Sequence, residues 1–123
     1  MLTHIQIVHV PASDQDRAKD FYVERLGLSV VADVPMGPHG RWLQVAPAGA
    51  ATSLAIIPGG GNTKPGSATV VLESDDIEAD VQALRARGVD LPDRLEQMPW
   101  GATTIRFADP DGNDLALQTP APE

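Results

Sequence analysis

A chain of 123 residues suits one domain and is too short for two independent cores. Seventeen Asp and Glu against nine Lys and Arg give a net charge of -8, which repels phosphate backbones and anionic lipid, so nucleic acid and membrane surfaces are not expected partners. The absence of cysteine excludes disulfides, thiolate nucleophiles and cysteine-based metal centres.

Residues from His4 to Val10 alternate as a half-buried strand does, with Gln6, Val8 and Val10 on one side and Ile5, Ile7 and His9 on the other. Ser13 and Asp14 offer N-caps for a helix whose apolar stripe is Ala18, Phe21, Tyr22 and Leu26 and which Gly27 closes. Leu28 to Val34 reads as a strand, and Pro35 to Gly40 as a loop. Arg41 to Val45 and Thr52 to Ile57 are two more strands, followed by a Gly-rich linker over 58–66. The second half repeats the plan. A strand runs from Ala68 to Leu72, and Asp75 and Asp76 can cap a helix with the stripe Ile77, Val81 and Leu84, ended by Gly88. Val89 to Leu91, Thr103 to Phe107 and Leu115 to Gln118 complete the strands. The last two are joined by Asp109-Pro110-Asp111-Gly112, which has type I turn chemistry, and the tail after 119 reads as loose.

One offset of 61 residues relates Ser13 to Ser74, Asp14 to Asp75, Ala18 to Ala79, Gly27 to Gly88 and Ala55 to Ala116, the mark of an internal duplication. The chain therefore reads as a single α+β domain of two βαβββ modules, 1–57 and 67–119, with the tail at 120–123. The first ten residues lack a basic start and an unbroken apolar run. No apolar run approaches the roughly 20 residues a bilayer requires, so a cytoplasmic location is expected.

The segments SDQDRAKDFYVERLGL, MGPHGRW, ESDDIEADVQALRARGVDL, MPWG and FADPDGNDLALQ, in that order, resemble the vicinal oxygen chelate superfamily of glyoxalases, bleomycin-resistance proteins and extradiol dioxygenases. The resemblance implies curved sheets around a cup, often in a homodimer, and in metal-dependent members a divalent ion held by His on the first strand of each module and Glu or His on the last. Those four positions correspond here to Ile7, Ala55, Thr69 and Ala116; if Asp75 instead of Asp76 anchors the second module, Thr69 is replaced by Ala68. None is a ligand, so neither metal nor other cofactor is expected.

Pleat parity sends His9 with Ile7, and places Arg106 across the terminal hairpin from Ala116. Arg106 is either a clamp for a substrate anion or half of an ordinary ion pair with Asp114 or Glu73. His9 is either an acid, base or hydrogen-bond donor, or a spacer on the strand. Met36 and Met98 precede the only two tryptophans, Trp42 and Trp100, which either stack a flat ligand or serve the core or a dimer interface. His39 belongs to the loop that resembles the family's pocket rim. Three readings follow: sequestration of a small organic molecule, aromatic or anionic, in a metal-free cup of a homodimer; an enzyme (lyase, isomerase or dioxygenase) using a relocated metal or His9 and Arg106; or an idle scaffold whose own side chains fill the cup.

Overall fold

The computed structural model describes residues 1–59 and 63–120. Gly60 to Asn62 of the linker and residues 121–123 of the tail lie outside the described residues. Module one runs β1 (Ile7–Ala12), α1 (Gln15–Lys19, continuing as a π-helical turn over Asp20–Arg25), β2 (Ser29–Pro35), β3 (Arg41–Ala46) and β4 (Ser53–Pro58). Module two runs β5 (Thr69–Glu73), α2 (Ile77–Ala86), β6 (Glu96–Gln97), β7 (Thr103–Ala108) and β8 (Asp114–Gln118). Each module folds into its own four-stranded mixed sheet, ordered β1-β4-β3-β2 and β5-β8-β7-β6, with the first strand parallel to the last and the others antiparallel.

One face of each sheet is apolar and packs inward. Val10, Ala12, Leu43, Val45, Leu54 and Ile56 of sheet one join Ala18, Phe21 and Tyr22 in a core shared with Ile77, Val81, Leu84, Ile105, Leu115 and Leu117 of module two. Alternation along each strand leaves the opposite face open for function.

The helix N-caps are Asp14, which accepts from the Arg17 N–H, and Asp76, which accepts from the Ala79 N–H. They are 62 residues apart, whereas the closing glycines Gly27 (φ +87°) and Gly88 (φ +85°) are 61 apart. Module one therefore carries one extra residue between cap and closing glycine, and the π-helical turn over Asp20–Arg25 is where it is absorbed. That wider turn lets the adjacent Phe21 and Tyr22 both point into the core. The pairings of Ser13 with Ser74, Asp14 with Asp75 and Ala18 with Ala79 are thus corrected, while those of the glycines and of Ala55 with Ala116 hold.

Two further expectations are corrected. The first strand begins at Ile7, not His4, because parallel pairing with β4 starts at Ile7 opposite Ser53. Val89 to Leu91 is not a strand: the Val89 N–H closes the helix on the Leu84 carbonyl (3.0 Å) and its side chain enters the core, so the second strand of module two forms later, at Glu96–Gln97. The loop after β2 contains a short 3-10 turn, Gly37–His39.

Loop chemistry locks the modules together. The Gly112 N–H donates to the Asp109 carbonyl (3.0 Å), as expected of that turn. The buried Asp109 and Asn113 then reach module one: Tyr22 Oη donates to Asp109 Oδ2 (2.6 Å), and Asn113 Nδ2 donates to the Pro11 carbonyl (3.2 Å).

Candidate functional site

The open face of sheet one presents Ile7 and His9 from β1, Ser53, Ala55 and Ile57 from β4, and Trp42 and Gln44 from β3. His9 pairs across to Ala55, and Ala55 to Gln44, so these three form one row across the sheet. The exposed His9 ring meets the half-buried Trp42 indole edge to face, at a centroid distance of 5.9 Å and an interplanar angle of 78°. Trp42 Nε1 donates to Gln44 Oε1 (3.0 Å), and Gln44 Nε2 donates to Ser53 Oγ (2.8 Å). Ala55 is fully buried although it lies on the open side, flanked by these larger neighbours.

Beside Trp42 opens a cleft of about 610 Å³ whose walls include Met36, Pro38, Ile57 and Pro58. Gln15 also lines it and ties β3 to β4: its Nε2 donates to the carbonyls of Arg41 (2.7 Å) and Ile56 (2.8 Å), and its Oε1 accepts from the Arg41 N–H (3.1 Å). A second cleft, about 580 Å³, lies across Gln15 and Gly40 and is lined by Asp14, Asp16, Asp33 and Arg41. Its charges are largely paired with one another: Arg41 reaches Asp16 (2.6 Å) and Asp33 (3.2 Å), and Lys19 reaches Asp33 (2.7 Å).

Sheet two presents Thr69 and Val71 from β5, Ala116 from β8 and Arg106 from β7, with Arg106 opposite Ala116 as pleat parity implies. Arg106 Nη1 makes an exposed ion pair with Asp114 Oδ2 (3.2 Å), one of the two acidic partners, Asp114 and Glu73, expected for it. Met98 and Trp100 sit in the β6–β7 connection, where the Met98 N–H donates to the Ala102 carbonyl (2.7 Å) and Trp100 is 56% exposed.

The predicted site residues thus fall into two sets. His9, Met36 and Trp42 gather on module one, and Met98, Trp100 and Arg106 lie on module two. Among the described residues no ring contact, hydrogen bond or ion pair joins the sets. His39 ends the 3-10 turn, and its side chain lies outside the described residues. Sequence reasoning missed Gln44, Ser53 and Gln15. For Gln44 a signal existed, since a residue two beyond Trp42 on a strand shares its face.

A family model for the Glyoxalase/Bleomycin resistance protein/Dioxygenase superfamily matches residues 2–117. The chain belongs to that superfamily. Among superfamily structures it resembles TnmS3, an antibiotic binding protein from Streptomyces sp. CB03234, at 46% identity and a TM-score of 0.88, covering 98% of each chain. A superfamily member from Sphaerobacter thermophilus DSM 20745 is 32% identical, with a TM-score of 0.85 over 97% of this chain and 98% of that one. The uncharacterized protein YetH of Bacillus subtilis (strain 168) is 38% identical over 120 residues, 96% of this chain and 99% of that protein. Superfamily members with metal need converging imidazoles and carboxylates. Among the described residues no group of three or more His, Asp or Glu side chains is placed to hold an ion.

Proposed function

We propose that the protein sequesters a small, flat organic molecule of the antibiotic class, without a metal, in a cup that two chains complete. The carrying observation is the His9–Trp42 ring pair beside the 610 Å³ cleft: an aromatic platform with an adaptable methionine, Met36, at its side. The antibiotic-binding TnmS3, similar over nearly its whole length, supports the same reading.

The family's metal does not fit the residues present. The positions that correspond to its ligands hold Ile7, Ala55, Thr69 and Ala116, and the N-cap role of Asp76 supports Thr69 over Ala68. Aliphatic groups and a lone hydroxyl offer no adequate donor set for a divalent ion.

A homodimer is supported by the separation of the two open faces and by exposed apolar residues beside them, Ile5 and Val71. A partner's sheet two facing sheet one would bring Trp100, Met98 and Arg106 to the same ligand as Trp42 and His9. The enzymatic alternative, with His9 as acid or base and Arg106 holding an anionic substrate, has less support, because His9 packs against Trp42.

A thermal-shift screen of aromatic and glycopeptide antibiotics tests the reading. A ligand at about a hundredfold its Kd stabilises the fold by about 2.7 kcal/mol, and Trp42→Ala should abolish the shift. A panel that moves neither the melting transition nor tryptophan emission sinks the proposal. Near-stoichiometric zinc, nickel, manganese or iron in the purified protein overturns its metal-free part.

A further inference from the structure

We infer that Gln44 is the positioning residue that sets how the Trp42 ring is presented to a ligand, an inference that rests on the sequestration reading for its functional consequence. The indole Nε1–H can only donate, so its partner must be the Gln44 carbonyl oxygen, at 3.0 Å. That fixes the amide orientation and turns the Gln44 NH2 toward Ser53 Oγ, at 2.8 Å. Ser53 Oγ, now an acceptor, directs its own hydrogen to the Gln6 carbonyl (3.4 Å), which also accepts the Ser53 backbone N–H (3.0 Å). One donor-only group thus sets the polarity of the whole chain of bonds from Trp42 to the main chain ahead of β1.

The chain is anchored. Ser53 is buried, Gln44 is half-buried, and both project from the open face on which Trp42 and His9 stand. Two consequences follow for recognition. The indole cannot swing about its side-chain bonds without breaking the Gln44 contact, so a ligand meets a preorganised surface and pays less ordering entropy. The only polar group of the indole is consumed internally, so the ring offers its π-face and no hydrogen-bond donor. The site therefore selects flat ligands by stacking, and their polar groups must be read by other residues.

The test begins on the native protein. In a nitrogen-15 spectrum the Trp42 indole N–H should exchange with solvent far more slowly than that of the exposed Trp100; equal, fast exchange overturns the inference. Variants then follow in a Trp100→Phe background, where Trp42 is the sole indole. Gln44→Leu should diminish the near-ultraviolet dichroism of Trp42 and raise its quenching by acrylamide, while Gln44→Glu, which keeps an acceptor oxygen for the indole, should preserve both. If Gln44→Leu folds and leaves both signals as in the parent, Gln44 does not hold the ring. With Trp100 restored, Gln44→Leu should weaken the best compound of the antibiotic panel about fivefold, the equivalent of one ordinary hydrogen bond. Slow indole exchange and a loosened ring, with no panel compound bound by the parent protein, would leave the positioning role standing and remove the sequestration reading instead.

Discussion

Removing the Tyr22 hydroxyl, by Tyr22→Phe, should weaken the joint between the modules in a manner that depends on pH with a definite sign. Tyr22 is fully buried, and its Oη donates to Asp109 Oδ2 at 2.6 Å. Asp109 also accepts the backbone N–H groups of Asp111 and Asn113 (2.9 Å each) and Asn113 Nδ2 (2.7 Å), so the hydroxyl is one of four donors to a carboxyl group in the interior. Loss of a hydrogen bond of this kind costs about 2 kcal/mol at neutral pH. Burial, then the bond to Asp109 and the negative charge of Asp109 and Asp111, holds the phenol well above the ordinary tyrosine range. The unfolded chain gives up this proton near pH 10 while the folded chain keeps it, so Tyr22 stabilises the fold fully below that pH and its contribution declines by about 1.4 kcal/mol per pH unit above it. The native protein and the Phe variant should therefore differ by about 2 kcal/mol in urea unfolding at neutral pH and converge by about pH 11.5. Tyr22 is the only tyrosine in the chain, so phenolate absorbance reports it alone and should rise only as the protein unfolds. A gap that stays constant with pH, or a phenolate titrating near pH 10 in the folded protein, would refute the reasoning.

Asp33 should behave in the opposite sense. The Lys19 hydrogen bond, aided by the charge of Arg41, outweighs partial burial and holds its carboxyl below the usual carboxylate range. Its contribution is present above about pH 4 and lost as the pH falls, so Asp33→Asn should cost about 1 kcal/mol at neutral pH and progressively less in acid, read from paired urea titrations. Arg106→Gln breaks an exposed pair, with side chains 63% and 43% accessible, and should change stability by less than about 0.5 kcal/mol. The same variant should weaken anionic compounds of the binding panel and spare neutral ones, as isothermal titration would measure.

Most elements were legible because their causes are local. Asp14 and Asp76 as caps, Gly27 and Gly88 at positive φ, and the Asp109 to Gly112 turn each depend on a few neighbouring residues. Alternation placed His9 on one face of β1 and set Arg106 opposite Ala116. The false strand at Val89 to Leu91 has the composition of a strand, but the Val89 N–H is claimed by the end of α2, which composition does not reveal. Duplication counted at a single offset concealed the extra residue in the first helix, because the π-helical turn absorbs it within one element.

The candidate site divides along the same line. Residue types by themselves determined that Ile7, Ala55, Thr69 and Ala116 are aliphatic or small, and that Trp42 and Met36 stand close in the chain, since strand periodicity and turn propensity act over a few residues. Tertiary structure decided that Trp42 meets His9, that Gln44 and Ser53 hold the indole, and that Tyr22 reaches Asp109 across 87 residues. Those partners are chosen by strand register and by the packing of one module on the other, and both of these are long-range balances of burial and hydrogen bonding that no short window of sequence contains.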